Sequence, residues 1–373
     1  MSGAKLTKIA EALPSTVPFV GPEAAERQRG TAFTARLGAN ESVYGPSPKV
    51  LRAIEAAAPD VWMYGDPESH DLRRALALHH GVEMSEIVCG AGIDGLLNSI
   101  VRLHVEPGVS VVTSDGAYPT FNYHVAGYGG TLTKVPFRDD HEDPEALLRA
   151  ATETGARLIY LSNPDNPMGS HHPAQVIDDM IADLPDGCLL VLDEAYIELA
   201  PDGTAPLIDT SNPQVIRMRT FSKAYGMAGM RIGYAIGEAG VIRSFEKVRN
   251  HFGIGRLSQQ AALAALADTE WLEIVRAEVA RARDRIAGIA RENGLTPLPS
   301  ATNFVTIDCG RGAEFAKTVL DALVARGIFI RMPFAEPGNR CIRVSCGTDQ
   351  DLDRFAAALP PALAEAGSAM NDG

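Results

Sequence analysis

A primary amine, two hydroxyls and a guanidinium fall in one short run, TFSKAYGMAGMRIGY, where Lys223 follows Thr220 and Ser222 and precedes Arg231. The amine is a nucleophile toward aldehydes, and the hydroxyls and the arginine fork are donors suited to a phosphate. Together they are the equipment for an aldehyde cofactor that carries a phosphate, pyridoxal 5'-phosphate. That chemistry asks for an amine to form a Schiff base, an acid beside the pyridine nitrogen, a phosphate cradle and a ring to stack on the cofactor face. A lysine after a serine is by itself an ordinary surface residue. Its weight comes from its company.

An acid for the pyridine nitrogen is offered by CLLVLDEAY, where a continuous apolar run ends in Asp193. Such a run predicts a parallel strand buried on both faces, and ligands of open α/β sheets sit at the carboxyl ends of such strands. Tyr196 follows three residues later and could donate to the ring hydroxyl oxygen; a turn-capping aspartate with a core tyrosine is the plain alternative. A second run, ARLIYLSNPDNPMG, predicts another buried strand that enters a Pro- and Asn-rich turn and carries Asn166 above the same edge.

The ordered segments LGANESVYGPSP, MYGDPES, CGAGIDG, AYPTF, NPDNPMG, LDEAYIEL, TFSKAYGMAGMRIGY and CIRVSCGT resemble the fold type I aminotransferases, most closely the histidinol-phosphate aminotransferase branch. The resemblance runs from about Pro18 to the C-terminal helix. It implies that Lys223 carries the Schiff base, that Asp193 meets the pyridine nitrogen, and that Tyr196 and Asn166 meet the ring oxygen. Thr220, Ser222 and Arg231 become phosphate ligands and Tyr118 the stacking ring. It further implies that Tyr64 reaches a neighbouring subunit's cofactor phosphate, so the site requires a homodimer. Arg343 would clamp the substrate carboxylate. Arg331, Asn40 and Phe19 fall on the substrate side; Arg331 stands where the branch meets a distal phosphate, and Phe19 where its arm has a tyrosine. Met168 replaces the threonine of the family's NPTG turn, and RNHFGIGRLSQ departs from its usual Pro, Tyr and Asn run.

Gly90, Gly92 and Gly95 spell GxGxxG between a strand and an apolar helix, and Asp115 closes the next strand. This matches a dinucleotide fingerprint and keeps an NAD-dependent oxidoreductase open. About ninety residues precede it, however, and it leaves Lys223, Asp193 and Asn166 unexplained. The same physics serves a cofactor phosphate, held by the backbone amides of Gly92, Ile93, Asp94 and Gly95 at a helix N-terminus.

The elements that must position these groups alternate. Apolar strands near 86–89, 109–113, 157–162, 188–193, 215–219 and 231–236 alternate with helices, predicting an α/β fold with a mostly parallel sheet covered on both faces. Residues 1–35 read as an arm broken by Pro14, Pro18 and Pro22, residues 36–265 as a large cofactor-binding domain, and 266–373 as a smaller α+β C-terminal domain. A single amphipathic helix over 269–293 links the two. In the C-terminal part, strands are expected at NFVTID, IFIRMP and CIRVSC, and helices over 313–326 and 350–366.

With 373 residues, 46% of them hydrophobic, the chain has material for a large core. A formal charge of −13 argues against nucleic acid as a main partner, because phosphate backbones require clustered Lys and Arg. The five cysteines show no CxxC spacing and read as reduced core thiols. His79 with His80 and His171 with His172 lack a third ligand at metal spacing, so surface or cap roles are expected and no metal. No leader or membrane-spanning run is evident, which predicts a cytoplasmic protein. The expected chemistry is transfer of an amino group to a 2-oxo acid such as 2-oxoglutarate, from histidinol phosphate, an aromatic amino acid or another bulky donor. A threonine-phosphate-type decarboxylase and a non-catalytic pyridoxal-binding regulator are the other classes; no DNA-reading segment precedes residue 35.

Overall fold

Seven strands pair into one sheet: β1 Ile87–Gly90, β2 Ser110–Ser114, β3 Thr131–Val135, β4 Leu158–Ser162, β5 Leu189–Asp193, β6 Val215–Thr220 and β7 Gly233–Gly237. Their order is β1-β7-β6-β5-β4-β2-β3. Within it β7 runs antiparallel to both neighbours, and the other pairs are parallel. The computed structural model describes residues 4–15 and 20–370, so Phe19 lies outside the described residues.

Alternate residues of the central strands enter different cores. Leu158, Tyr160, Leu189 and Val191 pack on one face with Ile93, Leu97 and Phe121, whereas Ile159, Leu161, Leu190 and Leu192 pack on the other with Leu147 and Ile177. A two-residue period with both faces covered explains why these strands are apolar throughout. The carboxyl ends of β2, β4, β5 and β6, at Ser114, Ser162, Asp193 and Thr220, therefore share one edge of the sheet.

A second, antiparallel sheet joins Phe304–Asp308 to Cys341–Ser345 on one side and Thr296–Pro297 on the other. Helices Thr269–Glu292, Ala313–Ala325 and Asp349–Ala369 cover it. Val275, Val279, Ala282, Ile286 and Ile289 recur at spacings of four and three on the first of these, which puts them on one buried stripe. Among the described residues no helix is long and apolar enough to cross a membrane.

Three local expectations are corrected. Pro22 does not break structure; it opens helix Pro22–Arg29 at its first turn, where no amide is needed. β3 escapes an apolar-run criterion because TLTKV is an edge strand of mixed exposure. The segment IFIRMP forms strand only at Ile328–Phe329, parallel to Ala35–Arg36, after which Arg331 makes a single antiparallel bridge to Arg343.

Candidate active site

The carboxyl edge of the sheet opens into a cavity of about 140 Å³ lined by Ile93, Asp94, Tyr118, Asn166, Asp193, Tyr196, Thr220, Ser222, Lys223 and Arg231. Residues distant in sequence are gathered there because their strands end side by side. Ser162 of β4 is in register with Asp193 of β5, and Thr220 of β6 with Gly233 of β7.

One end of the cavity is a set of donors. Thr220 Oγ1 donates to Ser222 Oγ at 2.9 Å, and Arg231 Nη1 lies 3.4 Å from the same oxygen. The helix Gly92–His104 begins against them. Gly92 has φ +71°, and a Cβ there would stand 2.6 Å from Arg231 Nη2. A side chain at this position is excluded both by backbone conformation and by the guanidinium. Arg231 itself is left-handed, φ 50°, and exposed, so β7 begins two residues after it. Hydroxyls, a guanidinium and free helix amides make a donor set that could hold a phosphate.

Asp193 stands across the cavity and is 4% exposed. It accepts the Tyr160 hydroxyl at 2.7 Å and the Ala195 amide at 2.9 Å. Both donors are neutral, and burial pushes the carboxyl up to about 6. A cation placed against it would reverse that shift, which is how a protonated pyridine nitrogen fits. Tyr160, central in an apolar strand, was not among the residues expected in the site; its signal was a hydroxyl that a dry strand must partner.

Lys223 Nζ donates to the Asn40 carbonyl at 3.2 Å and lies 5.4 Å from the Tyr196 ring centre. Asn40 is buried and left-handed, φ 54°. Its Nδ2 donates to Tyr196 Oη at 3.1 Å, its Oδ1 accepts Ser345 Oγ at 2.9 Å, and Asn303 Nδ2 donates to its carbonyl at 3.0 Å. Asn303 and Ser345 also escaped sequence reasoning, since each acts through Asn40. Tyr118 Oη donates to Asp94 Oδ1 at 3.2 Å.

A wider cleft of about 780 Å³ meets this cavity at Tyr118, Asn166 and Lys223, and Asn40, Arg331 and Arg343 line it. The bridge between the backbones of Arg331 and Arg343 sets the two arginines opposite each other at this wall. Arg343 donates to Asn166 Oδ1 and, at 3.4 Å, to the Gly38 carbonyl. Its Nε is buried with no partner among the described residues, and burial lowers the guanidinium to about 10. A partly buried cation with a donor unused is suited to an incoming anion. Arg331 Nη2 donates to the Val20 carbonyl, within the arm, at 2.6 Å.

Tyr64 is not in the cavity of its own chain. It is 78% exposed and packs on Phe252 at 4.8 Å. Asp115 pairs with Lys134 at 3.3 Å beyond the end of β2. His80 is half-buried rather than a surface residue: its Nε2 lies 3.0 Å from Tyr234 Oη, and burial lowers it to about 3. All five cysteines are buried and unbridged.

The aminotransferase class I and II family matches residues 34–359. The chain belongs to that family. This aminotransferase is 34% identical over 350 residues to histidinol-phosphate aminotransferase of Rhodospirillum centenum, covering 92% of this chain and 94% of that one. It is 30% identical over 369 residues to the Moorella thermoacetica protein of the same name, covering 97% and 94%. The crystal structure of histidinol-phosphate aminotransferase from Sinorhizobium meliloti in complex with pyridoxal-5'-phosphate superposes with a TM-score of 0.95 at 53% identity, covering 97% of this chain and 98% of that one. Family membership replaces the oxidoreductase alternative, and in the Gly90, Gly92 and Gly95 run Gly90 ends β1 while Gly92 opens the helix at the donor end of the cavity.

Proposed function

We propose that this aminotransferase binds pyridoxal phosphate between Lys223 and Asp193 and moves the amino group of histidinol phosphate to a 2-oxo acid such as 2-oxoglutarate. The observation that carries the substrate assignment is Arg343, with its Nε buried and unpartnered among the described residues, bridged to Arg331 at the wall of a cleft that reaches Lys223. Two arginines on one cleft wall suit a dianionic phosphate, and the same pair can take the carboxylate of the acceptor. The named relatives support that reading.

When bound, the cofactor supplies an aldehyde that takes the amino group and a ring that accepts the electron pair left at the donor carbon. The chain's residues do the rest. The amides of Gly92 to Gly95, with Thr220, Ser222 and Arg231, would anchor the phosphate. Asp193, oriented by Tyr160 and the Ala195 amide, would keep the pyridine nitrogen protonated. Tyr118 would cover one face of the ring, and Tyr196 and Asn166 would meet its oxygen. Lys223 is the group to which the aldehyde would be joined, and its freed amine would then move the proton at the donor carbon. Asn40 holds that amine near the Tyr196 ring.

The same reading places Tyr64 in a partner's site within a homodimer, and divides the chain into the arm, the large unit over 36–265 and the small unit over 266–373. The five buried thiols suit a reducing, cytoplasmic compartment. A donor panel of histidinol phosphate, aromatic amino acids and alanine, with 2-oxoglutarate as acceptor, tests the substrate. Preference for histidinol phosphate by at least about 100-fold in kcat/KM is expected, as for sites that would otherwise leave buried polar groups unpaired. Comparable rates with aromatic donors would replace it with a broader amino-acid specificity, and carbon dioxide release without a 2-amino acid product would overturn transamination.

A further inference from the structure

Two carboxyls with no role in this reading are buried against each other behind the cleft: Glu142 is 1% exposed and Asp165 2%. Glu142 Oε2 accepts the Ser114 hydroxyl at 2.6 Å, and Oε1 accepts the Ser162 amide at 3.0 Å. Asp165 Oδ2 accepts the Met168 amide at 2.8 Å, but its Oδ1 is buried with no partner among the described residues. Glu142 accepts the amide of Ser162, three residues before Asp165, so the two carboxyls face one turn, close enough for each to act on the other's charge. Two carboxylates so placed, out of water, cannot both be ionised. A proton on Asp165 gives its orphan oxygen a hydrogen to donate and leaves the charge on the carboxyl that already has two donors.

Both carboxyls lead to the active site. The Ser162 hydroxyl donates to Tyr160 Oη at 3.3 Å, and Tyr160 donates to Asp193 at 2.7 Å. Asp165 precedes Asn166, and its bonds to the Met168 amide and the Ser170 carbonyl close the turn that carries Asn166. We propose that Glu142 and Asp165 share a single proton and act as positioning residues for two contacts of the cofactor ring, Asp193 through Ser162 and Tyr160, and Asn166 through its turn. This rests on the pyridoxal phosphate reading above.

The surrounding groups are compatible with one retained proton. Arg343 draws Asp165 toward ionisation, while burial and the Glu142 charge push it the other way and well above its ordinary range. Burial raises Glu142 to about 7. His172 Nε2 donates to the Glu142 carbonyl at 2.7 Å; burial holds His172 and His171 down, and the ring of His141 lies 5.5 Å from that of His172, with Asp143 beside them. On the strand side burial keeps Tyr160 neutral.

The test has two arms. In cofactor-free protein, infrared difference spectra of Asp165→Asn against the parent at pH 7 should show loss of one protonated-carboxyl band, with little change in melting temperature because the amide N–H replaces the carboxyl O–H as donor. Loss of a carboxylate band alone overturns the shared proton, and this arm stands even if no cofactor binds. In holoenzyme, Asp165→Asn keeps the charge on Glu142, whereas Glu142→Gln moves it to Asp165. The pH midpoint of the cofactor absorbance should therefore move by about half a unit or more in Glu142→Gln, and by less than about 0.2 in Asp165→Asn. Equal midpoints in the two variants, or failure of Asp165→Asn to fold, overturn the positioning role. Absence of any cofactor band in the parent overturns the function proposed above.

Discussion

Asp193 is a carboxyl held in a dry site by two neutral donors, and its titration has a defined sign. In the unfolded chain it ionises near 3.8, and in the folded, cofactor-free protein near 6. The folded state thus keeps a proton that the unfolded chain releases in between. Its stabilising effect is present below about pH 4 and is lost as pH rises through 6, amounting to up to about 3 kcal/mol. Asp193→Asn in cofactor-free protein should flatten the fall in melting temperature between pH 4 and 7, measured by calorimetry. An unchanged fall would contradict the desolvation account. At this scale the residues lining the cavity were legible in sequence because each stands at or just past the end of an apolar strand. Their supports were not. Tyr160 meets Asp193 only once β4 and β5 are neighbours in register, and Asn303 and Ser345 reach Asn40 across more than 260 residues of chain.

Among the elements, the start of helix Gly92–His104 is the most exacting. Gly92→Ala forces a β-carbon into left-handed backbone and into the space of the Arg231 guanidinium. A loss of about 1–2 kcal/mol is expected from the backbone alone. If these amides and Arg231 anchor the phosphate, cofactor affinity should fall by at least about tenfold, one missing charge-assisted bond. Calorimetric melting and cofactor titration read the two effects separately; unchanged affinity would remove this helix from the phosphate site. Elements buried on both faces, and the stripe on Thr269–Glu292, were legible because their periods are fixed by what they touch. Edge strand β3 was not, since one side of TLTKV meets water, and neither was the helix at Pro22, where a residue that ends helices elsewhere begins one. Asp349–Ala369 runs through Pro360 and Pro361 while burying Leu359 and Ala362, an instance of packing overriding local propensity.

For the whole molecule, Tyr64 and Phe252 pack on each other as exposed aromatics outside the chain's own cavity, and Trp62 is exposed two residues before Tyr64. A shared site makes a sharp prediction for mixed subunits. Lys223→Ala and Tyr64→Ala chains, each impaired alone, should on refolding together recover up to roughly a quarter of parental activity, because one site of each hybrid dimer carries both parental residues. No recovery would place Tyr64 in its own subunit's chemistry or in none. The account as a whole depends on which amine holds the cofactor. Borohydride reduction of the pyridoxal phosphate-loaded protein, followed by peptide mass mapping, reads this directly: the pyridoxyl mass is predicted on the peptide containing Lys223, and its appearance on another lysine, or on none, would contradict the assignment.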